Sequence, residues 1–134
     1  MLELHPDLIA VSPRCLITAG WAGVLGGFLS GMAIGIASAE EAWAGGYAHP
    51  RRRFLRLGHI ACTMLGIVSI LAGLCVDGGF AVPGPARALF LTGLVTMPLC
   101  CVMTAYRPRA RAGFPVPVAA LVAAGALVLQ ANLA

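Results

Sequence analysis

Four long apolar runs constrain the fold of this chain more than any other feature. They cover roughly residues 15–39, 54–76, 85–106 and 114–133. Each run has about the 20 residues that an α-helix needs to cross a ~30 Å hydrocarbon core. Because lipid offers the backbone no hydrogen-bond partner, such runs cross a membrane as helices. The sequence therefore predicts an all-α fold: a single transmembrane domain over residues 1–134 that forms a four-helix transmembrane bundle.

The low charge content supports an integral membrane protein. Only 10% of the residues are charged and 60% are hydrophobic, whereas about a quarter of the residues in a soluble domain are charged. The N-terminal segment carries Glu3 and Asp7 instead of a basic region, which is atypical of a secretory signal. We therefore expect the first apolar run to be retained as a membrane span.

Arginines mark two of the three connections between the runs. Seven of the nine arginines lie there: Arg51, Arg52, Arg53 and Arg56 between the first two runs, and Arg107, Arg109 and Arg111 between the last two. The positive-inside rule predicts that both arginine loops are cytoplasmic and both termini non-cytoplasmic, in a bacterial inner membrane. These seven side chains are candidates for binding anionic lipid headgroups or docking a partner subunit. Their position beside apolar runs argues against a nucleic-acid partner.

Small residues define candidate packing faces on the first two runs. Gly23, Gly27, Gly31 and Gly35 recur every four residues, so they share one helix face on which another backbone can approach closely. The second run has a small, weakly polar stripe and an opposite bulky stripe suited to lipid. The small stripe comprises His59, Cys62, Thr63, Gly66, Ser69 and Gly73, and the bulky stripe Leu57, Ile60, Met64, Ile67, Leu71 and Leu74.

His59 is the only ionisable side chain well inside a predicted span, which makes it a candidate functional residue. Its imidazole can simply bond to a threonine, a backbone carbonyl, Glu40 or Glu41. Alternatively, His59 binds a quinone or is an axial ligand of haem b, with the glycines letting the flat ring approach. A second haem ligand would then come from a methionine or from another subunit. The methionines available inside the runs are Met32, Met64, Met97 and Met103.

No catalytic or metal-binding motif is apparent, so we expect a protein that is not an enzyme and has no metal site. The five cysteines form no CxxC pair, unlike quinone-linked thiol oxidases and vitamin K epoxide reductase relatives. No acidic residue lies inside a span, which argues against a small multidrug transporter. The sequence favours a small accessory subunit that packs through its small-residue helix faces within an energy-converting or electron-transfer complex, with lipids and other integral membrane subunits as partners. The alternatives are a haem- or quinone-binding electron-transfer protein using His59, and a small homo-oligomeric transporter or channel.

Overall fold

The computed structural model describes residues 11–133, which form four long helices. These are α1 (Pro13–Ala37), α2 (Pro50–Asp77), α3 (Gly84–Tyr106) and α4 (Pro115–Leu133). All four are long and apolar enough to cross a membrane, which confirms the predicted all-α architecture of four span-length helices. The expectation for the N-terminal segment with Glu3 and Asp7 lies outside the described residues.

Prolines set the beginnings of the helices. Ser12 caps α1 by accepting a hydrogen bond from the Cys15 amide, and His49 caps α2 by accepting one from the Arg51 amide. A proline follows each cap at the first helical position, where no amide hydrogen is required. The observed bounds therefore differ from the hydropathy-based ones, most of all at α2, which begins four residues earlier than predicted.

The early start of α2 changes the setting of the first arginine cluster. Arg51, Arg52, Arg53 and Arg56 lie in the first two turns of α2, not in a loop. Arg109 and Arg111 lie in a short 3₁₀ helix, Pro108–Gly113, and Arg107 immediately precedes it. A hydropathy pattern marks the apolar part of a span, whereas a helix continues through the polar interface until a cap ends it. Both groups of arginines lie at the same end of the four helices, which we call the arginine end.

The helices form an open row. Each helix packs along its neighbour in sequence, and the α1–α2 contact is the most extensive. Helix α1 touches α3 only slightly, and within residues 11–133 α4 packs extensively against α3 alone among the long helices. The predicted bundle is therefore not closed on itself, because α1 and α4 lie at opposite edges of the row.

Small side chains fill the interior while large apolar ones point outward. The buried apolar residues are mostly small or of medium size, such as Ala86, Cys101, Ala120 and Ala124. The predicted bulky stripe of α2 is exposed along its whole length: Leu57, Ile60, Met64, Ile67, Leu71 and Leu74. This distribution suits helices surrounded by lipid, where close packing and not burial of large apolar groups drives association.

Two polar contacts stabilise the end of the molecule opposite the arginine end. Arg87, near the start of α3, donates a hydrogen bond of 2.6 Å to the carbonyl oxygen of Val11. Asn132 of α4 accepts from the Ala81 amide at 3.2 Å and donates to the Ala81 carbonyl at 2.8 Å. The chain before α1 is thus tied to α3, and the α2–α3 connection is tied to the last turn of α4.

Candidate functional site

The α1–α2 interface brings two backbones into direct contact. A Cβ atom added to Gly66 would lie 2.6 Å from the carbonyl oxygen of Gly20 and 2.8 Å from the amide nitrogen of Val24. One added to Gly20 would lie 2.6 Å from the carbonyl oxygen of Gly66. Since the obstructing atoms belong to the backbone, only glycine fits at either position without separating the helices.

The other predicted packing glycines divide into two groups. Gly23, Gly27 and Gly31 of α1 face Cys62, Thr63 and His59 of α2, while Gly73 of α2 faces Ile17 and the Pro13 carbonyl. By contrast, no described residue lies within 4 Å of a Cβ added at Gly35, so the glycine contact with α2 ends at Gly31. Gly20, which sequence reasoning did not single out, precedes Gly23 by three residues and extends the same face.

His59 lies on this glycine face and bonds across the interface. Its Nδ1 is 2.7 Å from the carbonyl oxygen of Gly27. Because a carbonyl can only accept, Nδ1 carries the proton and donates, which leaves the lone pair on Nε2. The ring is half-buried and lies against Gly31, where an added Cβ would be 2.5 Å from the imidazole Cε1.

Two further polar groups of α2 accompany His59. The Cys62 thiol donates to the Gly23 carbonyl oxygen at 3.3 Å. The Thr63 hydroxyl donates to the His59 carbonyl on its own helix at 3.2 Å while packing over Gly27. The glycines therefore expose carbonyl oxygens of α1 to side chains of α2, one turn apart. Interhelical hydrogen bonds of this kind average about 0.6 kcal/mol each in membranes.

This geometry bears on the cofactor candidates for His59. The imidazole contacts α1 directly, so it fills the space beside the glycine face that a haem bound to His59 would need. Glu40 and Glu41 are exposed beyond the end of α1, and the imidazole proton is given to a backbone carbonyl instead. Among the residues that the structure describes, no group of three His, Cys, Asp or Glu side chains is arranged to hold a metal ion.

Arg52 has a role that distinguishes it from the other arginines. It is only 7% exposed, and its guanidinium donates to the carbonyl oxygens of Ser38 at 3.4 Å and Glu41 at 3.5 Å. The guanidinium also lies over the rings of Trp43 and Tyr47, at 5.8 and 5.5 Å from their centroids. Arg52 thus places a positive charge at the C-terminal end of α1, where the helix dipole favours a cation and terminal carbonyls need donors.

Aromatic rings orient three more guanidinium groups at the arginine end. Arg51 lies 4.4 Å from the Tyr106 centroid, Arg56 lies 4.8 Å from that of Tyr47, and Arg111 lies 5.3 Å from that of Phe54. The Arg56 guanidinium beside the phenol lowers the pKa of Tyr47. Arg53, Arg107 and Arg109 are exposed. Of the seven predicted headgroup-binding arginines, Arg52 is therefore taken up by α1, and the remaining six lie at least partly accessible on this end.

The polar and small-residue contacts described above define the candidate site by geometry alone. Comparison of the chain with protein-family models, with curated proteins and with solved structures finds no match.

Proposed function

We propose that this protein is a small non-catalytic subunit that packs against other membrane helices within a larger complex. The observation that carries the proposal is the open row of helices, in which α1 and α4 each contact one long neighbour extensively and, within residues 11–133, leave the opposite face without a packed helix. A protein that worked alone in lipid would gain by closing α1 onto α4, because helices associate through such packing.

The two free faces differ in character. The outward face of α1 presents large side chains that are 59–71% exposed, namely Trp21, Leu25, Phe28, Met32 and Ile36. The outward face of α4 mixes large and small side chains: Val122 and Leu129 are 67% and 61% exposed, and Ala119, Ala123 and Ala126 are exposed beside them, with no described residue within 4 Å of a Cβ added at neighbouring Gly125. The small residues leave gaps into which a partner helix can pack closely, so α4 is the proposed contact with the host complex.

This assignment revises the role expected for the glycine row of α1. Gly23, Gly27 and Gly31 are already covered by α2, and Gly23 also by Leu94 of α3, so they stabilise the subunit itself. Partner contact then passes to the α4 face and to the part of α1 beyond Gly31. No described residue lies within 4 Å of a Cβ added at Gly35, so a partner helix can approach α1 there.

The proposed host is an energy-converting or electron-transfer complex of a bacterial inner membrane, by analogy with the small helical subunits that such assemblies carry. The proposed orientation places the arginine end in the cytoplasm, where positive residues concentrate. Labelling of an Ala110→Cys variant, made in a background without the native cysteines, tests the orientation. An impermeant maleimide should react with inverted membranes and spare intact cells.

Copurification tests the accessory-subunit proposal. After gentle extraction of tagged protein from native membranes, mass spectrometry should find a stoichiometric set of larger membrane subunits. Ala119→Leu with Ala123→Leu should lose that set, whereas Leu71→Phe on the lipid-facing stripe of α2 should retain it. A protein that runs alone as a homo-oligomer would instead support the transporter or channel alternative.

The electron-transfer alternative uses the same His59 in a different way. Its support is the Nδ1 hydrogen bond to Gly27, since a histidine that ligates a metal commonly donates its other ring nitrogen to a carbonyl. If the purified protein has a Soret band that disappears in His59→Ala, the protein binds haem b and the purely structural proposal is wrong. We expect no such band, because the imidazole already contacts α1.

A further inference from the structure

An apolar crevice opens between α2 and α4 because α4 packs on α3 and stays apart from α2. Its volume is about 470 Å³. Leu57, Ile60 and Met64 of α2 form one wall, Met97 and Cys101 of α3 the floor, and Leu121 of α4 the other wall. We call this space the α2–α4 crevice. Its lining carries no charge, so it suits a hydrocarbon chain.

The crevice lies beside two arginines. A second cavity, of about 370 Å³, is lined by Arg53, Arg56, Leu57 and Ile60. Leu57 and Ile60 belong to both linings. The two cavities therefore adjoin, and together they extend along α2 from two guanidinium groups to an apolar space; we call the pair the groove. This is the arrangement required by a molecule with an anionic head and a hydrocarbon tail.

The charge balance favours an anion at the arginine end of this groove. Among residues 11–133, the acidic residues at this end are Glu40 and Glu41, which with the seven arginines leave a net charge of +5. The first turn of α2 contains no acidic residue, although the helix dipole favours negative charge there. An anion between Arg53 and Arg56 would offset both the repulsion among the arginines and their unfavourable position at a helix N-terminus.

The length of the groove matches one leaflet of a bilayer. Eleven residues separate Arg53 from Met64, which corresponds to about 16 Å along an α-helix. Half of a ~30 Å hydrocarbon core is about 15 Å. We propose that this groove binds an anionic phospholipid of the leaflet on the arginine side, with its phosphate between Arg53 and Arg56 and one acyl chain in the α2–α4 crevice.

Contacts that other arginines already make restrict the proposed lipid site to two of the seven arginines at this end. Arg52 is committed to the carbonyl oxygens of α1, and Arg51 is held over Tyr106. Arg56 is held over Tyr47 by one face of its guanidinium, which leaves donors at the edge of the group for phosphate oxygens. The lipid site therefore depends on Arg53 and Arg56 and not on the cluster as a whole.

Quenching by brominated lipids tests the site in a membrane. The reporter is Met64→Trp, at the deep end of the groove, in a background with Trp21→Phe and Trp43→Phe. Leu29→Trp, on the lipid-exposed side of α1, reports the bulk lipid composition. In mixed liposomes we expect acyl-brominated phosphatidylglycerol to quench Met64→Trp well beyond its mole fraction, and brominated phosphatidylcholine to quench it no more than Leu29→Trp.

Charge-matched variants separate a site from general attraction. One arginine near an anionic surface strengthens binding roughly fivefold, so Arg53→Gln with Arg56→Gln should reduce the anionic preference roughly 30-fold. Arg107→Gln with Arg109→Gln removes the same charge and should leave the preference unchanged. Equal quenching by the two lipids, or equal loss in both double variants, would overturn the proposal.

A second measurement on the unaltered protein guards against misfolded variants. Native mass spectrometry from a neutral detergent should retain a phosphatidylglycerol adduct in preference to phosphatidylcholine, and excess inorganic phosphate should not displace it. Displacement by phosphate would mean that the arginines bind the free anion, and the acyl-chain part of the proposal would be wrong.

Discussion

The Nδ1 of His59 and the carbonyl oxygen of Gly27 are 2.7 Å apart and join the two helices of the most extensive interface in the molecule. The bond exists because Gly27 and Gly31 carry no side chain that would keep the imidazole away from the α1 backbone. A residue that the sequence marks as a candidate cofactor ligand is thereby also part of the helix packing.

Removing the His59 ring should destabilise the fold. His59→Ala loses one interhelical hydrogen bond, worth about 0.6 kcal/mol, and leaves a void beside Gly31, so we expect a total loss of about 1–3 kcal/mol in the free energy of unfolding. Reversible unfolding by SDS in bicelles, followed by tryptophan fluorescence, measures it. Leu57→Ala, on the exposed face of the same helix, is the control, and an equal loss there would refute an interface role for His59.

Adding one methyl group at Gly66 should separate α1 from α2. The new Cβ would meet backbone atoms of Gly20 and Val24 that cannot rotate away, and we expect Gly66→Ala to cost about 1–3 kcal/mol. Gly35→Ala is the matched control, since no described residue lies within 4 Å of its added Cβ. The same unfolding assay should find Gly35→Ala close to wild type. A comparable loss in the free energy of unfolding for Gly66→Ala and Gly35→Ala would contradict the backbone contact between α1 and α2.

Loss of Arg52 should loosen the connection between α1 and α2. Arg52→Ala removes the donors to Ser38 and Glu41, and the bared carbonyls of the α1 terminus then need water. We expect hydrogen–deuterium exchange to rise about tenfold or more in residues 38–49, which corresponds to about 1.4 kcal/mol. Arg109→Ala removes an exposed guanidinium of equal charge and should leave this exchange unchanged. A rise in both variants would point to charge and not to the hydrogen bonds.

Tyr47 should titrate below the usual range of a phenol. Arg56 stabilises the phenolate and lowers the pKa of Tyr47. The resulting stabilisation is complete above the unfolded-state pKa of about 10 and is lost as the pH falls through the lowered pKa of the folded protein. Phenolate absorbance in a Tyr106→Phe background measures the titration, and Arg56→Gln should shift it upward. An unshifted titration in Arg56→Gln would exclude the arginine as the cause.

The sequence predicts the four helices because an apolar run of about 20 residues has only one stable backbone conformation in lipid. It also separates the two stripes of α2, since residues three and four apart share a helix face. It misplaces the start of α2 because the arginine-bearing turns are polar, although His49 and Pro50 carry the capping signal.

Other features depend on how the helices meet and leave little trace in the sequence. A four-residue spacing includes Gly35, but α2 diverges from α1 before reaching it. Four neighbouring arginines look equivalent in sequence, yet only Arg52 is aimed at the end of α1. Likewise, α4 does not pack against α1. The periodicity of a sequence indicates which residues share a helix face, but it contains no information on the distance between two helices.

The two unlike edges of the helix row limit the symmetry of any self-assembly. The exposed face of α1 carries large side chains along its whole length, whereas that of α4 sets Val122 and Leu129 beside Ala119, Ala123 and Ala126, so only α4 offers gaps into which large side chains of another helix can fit. Copies that met edge to edge would therefore form a head-to-tail interface, which closes into a ring if the rotation between copies permits and otherwise continues as a chain. A twofold dimer built on the α1 edge would have to pair large side chains with large ones. A host subunit seated on one edge would stop such growth.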